Sequence, residues 1–238
     1  EQAFKTKEDI EKGILGAYVS FQSLGYYGRT YNIFSDLASD NLSHPLAATA
    51  TEYAEVDNNN ILPENSSVSS LWNVIYDGIN VANNVITKVP TINDMTENEK
   101  NIALAELYFT RALNHFNLLN YFGAIPVKTI PTVGVNGLDA PREPVDVVYA
   151  QIIEDLTFAA THLPASSNKT RASKYAAKAL LARVYLYKKD YSLAKSMATD
   201  VIENGNYTLL NNYNDVFQDE TQESIFEIFF SQLERNRI

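Results

Sequence analysis

Six segments of this sequence repeat apolar residues at intervals of three and four, the period of a helix packed along one face. In the first, about residues 7–24, these are Ile10, Ile14, Ala17, Tyr18 and Phe21. Its opening turn carries Glu8, Asp9 and Glu11, at the end where the helix dipole favours acids. Leu71, Val74, Ile75, Ile79, Ala82 and Ile86 form the second stripe, over about 67–89 and closed by Pro90. Leu104, Tyr108, Ala112, Phe116 and Leu119 mark the third, from near Thr96 to Tyr121, with Gly123 as C-cap and Pro126 beyond it. The fourth, 145–163, carries Val148, Ile152, Leu156 and Ala159. The fifth, 173–189, is rich in alanine and leucine; the sixth, 191–204, carries Ala194, Met197, Ala198 and Val201 and stops at Gly205.

Only Asp190 separates the fifth segment from the sixth, so they fold back on each other as antiparallel neighbours. Leu181, Ala182, Tyr185 and Ala194 fall at the spacing of a tetratricopeptide repeat. There a small residue sits where two helices cross, and an aromatic one turn on fills the gap. Ala182 and Ala194 are the small residues and Tyr185 the filler; Lys178 and Ala198 hold other consensus positions, so the match is partial. Segments 67–89 and 97–121 are a candidate earlier, more degenerate pair. The expected fold is all-α, of tetratricopeptide-like helical hairpins with long loops and a minor extended segment. A generic helical bundle is the alternative.

Residues 25–65 break this pattern. Gly25, Gly28, Pro45, Pro63 and the run Asp57-Asn58-Asn59-Asn60 read as a long polar loop region around a short helix near 33–37. Loops longer than about 15 residues inside a compact domain are usually functional or disordered. Pro126, Pro131, Pro141 and Pro144 make 123–145 a connector, and 224–230 reads as a short strand or buried extended segment. The expected organisation is a single helical domain over 1–238, with hairpin repeats at 146–205.

Composition removes several function classes. With 29 acids against 19 bases the net charge is −10, which disfavours nucleic acid and anionic lipid surfaces. No cysteine is present, which excludes thiol catalysis, disulfides and zinc–thiolate sites. No run of 18 apolar residues spans a bilayer as a helix. The chain starts at Glu1 and stops at Arg237-Ile238 without any targeting or stop signal, so both ends are expected to be cut.

Several strings, in order, resemble the SusD/RagB family of surface nutrient-binding lipoproteins. They begin with Phe4-Lys5-Thr6-Lys7-Glu8-Asp9, Leu15-Gly16-Ala17-Tyr18 and Ser35-Asp36 to Ser39-Asp40-Asn41. Leu71-Trp72-Asn73-Val74-Ile75-Tyr76-Asp77-Gly78-Ile79 and Ala82-Asn83-Asn84-Val85-Ile86 follow. The strongest is Ala105-Glu106-Leu107-Tyr108-Phe109-Thr110-Arg111-Ala112, running through Phe116-Asn117-Leu118 to Tyr121-Phe122-Gly123-Ala124-Ile125-Pro126. Arg142, Val148-Tyr149, Ile152 to Leu156, Leu163-Pro164, Ala176 to Tyr187, Asp190-Tyr191 and Glu223 to Ile228 continue the likeness. Family members are usually about twice this length, so the resemblance is to their N-terminal part, with the C-terminal half absent. It implies a helical scaffold on the outer face of a Gram-negative outer membrane, held by a lipidated cysteine upstream of Glu1. The implied partner is a SusC-like TonB-dependent transporter barrel, over which the lipoprotein acts as a lid. The implied cargo is an oligosaccharide or, in some members, a peptide.

Sugar binding needs flat aromatic faces for pyranose C–H surfaces, and amides or carboxylates for hydroxyls. Tyr26, Tyr27, Arg29, Tyr31, Tyr53, Asn58, Asn59 and Asn60 supply that chemistry, with Tyr26, Tyr27, Arg29, Tyr53 and Asn58 to Asn60 the candidate ligand contacts. The plainer reading is that the tyrosines pad the scaffold and the asparagines make turns. Trp72 begins an apolar stripe and reads as helix packing. Arg111 and Glu106 lie about 140° apart on their helix, so Arg111 more naturally meets a carbonyl or acid from a neighbouring helix.

His44, His115 and His162 are scattered without a zinc motif, and no Gly-rich phosphate loop or nucleophile elbow exists. The Asp57–Asn60 run lacks the glycine and glutamate of a calcium loop. The acids Glu154 and Asp155 read as a solvated face. No catalytic residue, metal or cofactor is expected. The reading that follows is a binding protein, not an enzyme, that captures oligosaccharide or another nutrient and delivers it to the transporter. The alternative is a tetratricopeptide-type scaffold holding a protein or peptide.

Overall fold

The computed structural model describes residues 4–45, 47–134, 138–166, 168–219 and 221–230. Arg237 and Ile238, which carry the expectation of a cut end, lie outside the described residues. Eight helices run through the described residues: α1 (Lys7–Val19), α2 (Thr30–Ala38), α3 (Thr51–Asp57), α4 (Ser66–Ile86), α5 (Glu97–Phe122), α6 (Val145–His162), α7 (Lys174–Tyr187) and α8 (Tyr191–Asn204). Short 3-10 turns occupy Ser20–Gln22, Val89–Thr91 and Tyr213–Phe217. No β-strand forms among the described residues; Ile125 and Glu143 make one isolated antiparallel bridge. The fold is all-α, as the apolar period requires.

The chain divides into two compact units, one of Glu1–Ala17 with Ile79–Glu227 and one of Tyr18–Gly78 with Ile228–Ile238. In the larger unit α5 packs along α6, α6 along α7 and α7 along α8. Helix α5 starts with a capping box: Glu99 N–H reaches Thr96 Oγ1 (3.3 Å) while Glu99 Oε2 accepts the Thr96 N–H (2.8 Å). It ends at Gly123, whose φ of +67° and ψ of −127° lie where a side chain is strained. Between these caps α5 is buried on every face from Ala105 to Leu119. The single stripe expected from the sequence is too narrow: Leu104 and Tyr108 are only half-buried, while Thr110, Asn114, His115 and Asn117 are interior. A helix surrounded by neighbours needs no polar face.

The α7–α8 turn takes three residues rather than Asp190 alone, because α7 stops at Tyr187 and Lys189 adopts φ +65°. Asp190 still starts α8, its carboxylate accepting the Leu193 N–H at 3.2 Å. Ala194 is buried, as a small residue at a helix crossing should be. Helix α1 approaches α4 closely: a Cβ on Gly13 would stand 2.7 Å from Val85 and 2.8 Å from Phe4. The tail is extended but forms no strand. Its segment to Glu227 is held by Glu227 N–H on Lys169 O (2.8 Å), by Lys169 Nζ on Ser224 O (2.5 Å) and by Phe226 against Phe109 (5.1 Å between rings).

In the smaller unit the region 25–65 is not one long loop. It carries α2 and α3, which pack on each other, joined by hydrogen-bonded turns. Thr51–Asp57 is only two turns long, below the length at which an apolar period is legible in sequence.

Candidate functional site

The candidate contacts from the sequence all lie in the smaller unit, and its tightest loop positions them. Ser23 O accepts the N–H of Tyr26 (2.9 Å) and of Gly28 (3.0 Å), and Leu24 O accepts both the N–H and the hydroxyl of Thr30 (3.1 Å each). The glycines are there for room. A Cβ on Gly25 would stand 2.5 Å from Ser70 Oγ and 3.3 Å from Val74 on α4, and one on Gly28 would stand 2.7 Å from Ser23 O.

This loop turns Tyr26 inward and leaves Tyr27 half-buried. Tyr26 is 0% exposed, its ring 5.7 Å from that of Phe21, 4.6 Å from Tyr27 and 5.6 Å edge-on from Tyr31. It has no face left for a ligand and serves as the support behind Tyr27. Tyr27 and Tyr31 stack at 4.6 Å with an interplanar angle of 43°. Arg29, next in the chain, lays its guanidinium 5.7 Å from the ring centre of Tyr53 on α3, and Phe34 of α2 meets the same ring edge-on at 6.1 Å.

Helix α3 carries Tyr53 and ends at the asparagines. Asn58 Nδ2 donates to Ala54 O (2.7 Å), Asn59 takes φ +51°, and Asn60 N–H donates to Glu55 O (2.9 Å). The three asparagines thus form the turn that ends the helix, and all three remain exposed. They begin about 7.5 Å along the helix axis from Tyr53. The structure thus brings Arg29 to Tyr53, keeps Tyr27 and Tyr31 beside them in sequence, and places Asn58 to Asn60 on the same short helix as Tyr53.

Among the described residues of this unit three polar atoms are buried without a hydrogen-bond partner: Arg29 Nε, Tyr53 Oη and His44 Nε2. Nearly all buried polar atoms in folded proteins are bonded, so three together are notable. No metal-ligand spacing in the sequence includes His44. The His44 backbone N–H donates to the Asp57 carboxylate (3.2 Å), 13 residues on, a pairing no local pattern could signal. Trp72 is half-buried rather than interior and stacks on Tyr76 at 4.8 Å, one helical turn on.

A second polar cluster lies inside the larger unit. Arg111 is 4% exposed and donates from Nε and Nη2 to both Asp155 oxygens (2.8 and 2.6 Å), and from Nη1 to Asn83 Oδ1 (2.9 Å) and Thr129 O (3.2 Å). Asp155 is therefore no solvated acid. Burial pushes its carboxyl up, while Arg111 pulls the other way. Asn83 Nδ2 donates to Lys128 O and Ile130 O, and Asn80 Oδ1 accepts the Thr132 N–H (2.9 Å). His115 Nε2 accepts the Lys128 N–H (3.3 Å) and its Nδ1 has no partner; burial lowers this imidazole to about 3. The cluster clamps the 123–145 connector to α4 and α5. Apart from His115 Nδ1, the polar groups named here bond backbone or another side chain, an arrangement that holds the connector in place. Among the described residues no group of three His, Cys, Asp or Glu could hold a metal ion.

Residues 1–186 match the SusD-like family profile, described as starch-binding and associating with the outer membrane. The chain belongs to the SusD-like family. Among its SusD-like relatives, SusD-like protein P2 of Formosa agariphila is 34% identical over 206 residues, 86% of this chain and 41% of that protein. A SusD-like protein of Bacteroides ovatus is 32% identical over 165 residues, 64% of this chain and 30% of that protein. A SusD superfamily crystal structure from Bacteroides thetaiotaomicron superposes with a TM-score of 0.86 at 26% identity, covering 96% of this chain and 54% of the other. A laminarin-binding SusD-like protein superposes at 0.85 with 27% identity over 94% of this chain and 51% of its own. A structure determined with xylogluco-oligosaccharide does so at 0.74 with 25% identity, over 90% of this chain and 45% of its own. The chain thus spans about half or less of the SusD-like proteins it matches. The resemblance read from the ordered strings holds. The family is described by binding rather than by catalysis, and its setting is the outer membrane. Among the described residues no helix is long and apolar enough to cross a membrane.

Proposed function

We propose that this SusD-like chain binds an oligosaccharide at the outer-membrane surface and delivers it to a SusC-like TonB-dependent transporter. The observation that carries the reading is the α2–α3 surface. Tyr27 and Tyr31 stack side by side, Arg29 sits on Tyr53, and exposed Asn58 to Asn60 end the helix that bears Tyr53. Half-buried tyrosines offer ring faces to sugar C–H bonds, and the amides both donate to and accept from hydroxyls. Relatives that bind laminarin or carry a xylogluco-oligosaccharide share this fold.

Affinity electrophoresis through gels containing laminarin, xyloglucan or starch tests the binding half. Retardation in one gel, weakened about tenfold by Tyr27→Ala or Tyr53→Ala, supports it; normal mobility in every gel overturns it. Delivery rests on family membership. Co-purification with a SusC-like barrel from detergent-solubilised outer membranes supports it, and its absence overturns that half alone.

A second reading, a tetratricopeptide-type interaction scaffold, draws on one feature of the larger unit. Tyr191 and Ile202 recur on one face of α8 and are 63% and 76% exposed. Under this reading a Tyr191→Ser/Ile202→Ser variant loses a protein partner while its mobility in the polysaccharide gels is unchanged.

A further inference from the structure

We infer that the α2–α3 site takes uncharged saccharides and turns away sulfated or uronic-acid-bearing ones; this rests on the glycan-binding reading above and adds the class of glycan to it. The argument is the distribution of charge. Between Arg29 and Lys88 the sequence holds seven acids (Asp36, Asp40, Glu52, Glu55, Asp57, Glu64 and Asp77) and no lysine or arginine. The six ion pairs found among the described residues all lie in the larger unit.

The charge is concentrated where the candidate contacts are. Helix α3 carries Glu52, Glu55 and Asp57 in seven residues, around Tyr53 and directly before Asn58 to Asn60. Those amides also stand at the helix C-terminus, the negative end of its dipole. Glu55 Oε2 accepts the Leu62 N–H (3.2 Å) and an Asn65 Nδ2–H (2.7 Å), and Asp57 accepts the His44 N–H. Two of the three carboxylates are thereby held in place rather than free to swing away. Among the described residues of this unit the one arginine or lysine is Arg29, whose guanidinium lies on Tyr53 and whose Nε is buried. A sulfate or carboxylate arriving at Asn58 to Asn60 therefore meets three like charges within two helical turns, two of them held in place. A neutral sugar meets the same carboxylates as acceptors, with the amides as donors and acceptors, and suffers no like-charge repulsion. Like charges brought together at a binding surface are the usual means of rejecting a wrong partner.

The test uses the polysaccharide that retards the chain and its chemically sulfated derivative, in gels at low and high salt. A second protein, Asp40→Asn/Glu64→Gln/Asp77→Asn, removes three exposed charges outside the candidate contacts. The expected result is retardation by the neutral polymer and at least about tenfold weaker retardation by the sulfated one at 20 mM salt. That gap should narrow at 0.5 M salt, where charges are screened within a few ångströms, and should narrow again in the triple variant. Equal or stronger retardation by the sulfated polymer at low salt overturns the inference and leaves glycan binding standing. So does a gap that neither salt nor the triple variant changes, which is steric blocking of hydroxyls. Retardation by no polysaccharide, charged or neutral, overturns the glycan-binding reading itself.

Discussion

Arg111 shows how much a single side chain can commit. Its guanidinium and the Asp155 carboxylate are both nearly without solvent, so each depends on the other to offset its desolvation. Arg111→Met should cost about 3–5 kcal/mol in chemical denaturation, since it leaves Asp155 buried with only Gln151 to bond it. Pairing it with Asp155→Leu should recover most of that loss, because removing both charges removes the uncompensated one. His115 makes the opposite kind of commitment. Its imidazole stays neutral down to about pH 3 when folded, against an ordinary value near 6.5. Between those limits the unfolded chain binds one more proton than the folded one, so stability rises with pH across this window and falls as the solution is acidified. His115→Gln should flatten the stability profile between about pH 4 and 6 by about 1.4 kcal/mol per pH unit. Parallel profiles for the two proteins in urea denaturation would show that His115 titrates normally.

Elements are set by their ends and by how closely they approach. The capping box at Thr96 and Glu99 starts the longest helix, and Thr96→Ala should lower stability by about 1 kcal/mol. Gly123 stops that helix in a backbone region that only glycine enters freely. A Cβ there meets nothing within 4 Å, so Gly123→Ala tests backbone strain without a clash and should cost about 1 kcal/mol. Gly13 is the reverse case, a helical glycine with no special φ but no space. Gly13→Val must push Val85 and Phe4 aside and should cost more than Gly16→Ala, whose new methyl meets Val81 at 3.9 Å. Thermal melts of the two variants would rank them.

At the scale of the whole molecule, charge is uneven. The larger unit holds the ion pairs, while 30–87 holds acids alone. Self-repulsion of this kind weakens as salt screens it. Raising sodium chloride from 20 mM to 0.5 M should therefore increase Tm by about 2 °C or more. The Asp40→Asn/Glu64→Gln/Asp77→Asn protein should show a smaller rise. An unchanged Tm for the parent chain would mean that these carboxylates do not repel one another appreciably.

The sequence by itself determined the helical class, the positions of six helices and the family, because long amphipathic runs and ordered local strings are properties of neighbours along the chain. It also singled out Tyr26, Tyr27, Arg29, Tyr53 and Asn58 to Asn60 as candidate ligand contacts, which the proposed function takes up except for the interior Tyr26. What only the tertiary structure decided is which side of a surface each residue occupies. Tyr26 and Tyr27 are adjacent and alike in sequence, yet the hydrogen-bonded loop over Ser23 sends one inward and holds the other at the surface. The same holds for Asp155, which reads as a solvated acid beside Glu154 but is interior, because Arg111 arrives from another helix 44 residues away. Burial and pairing are set by elements distant in sequence, and no local period encodes them.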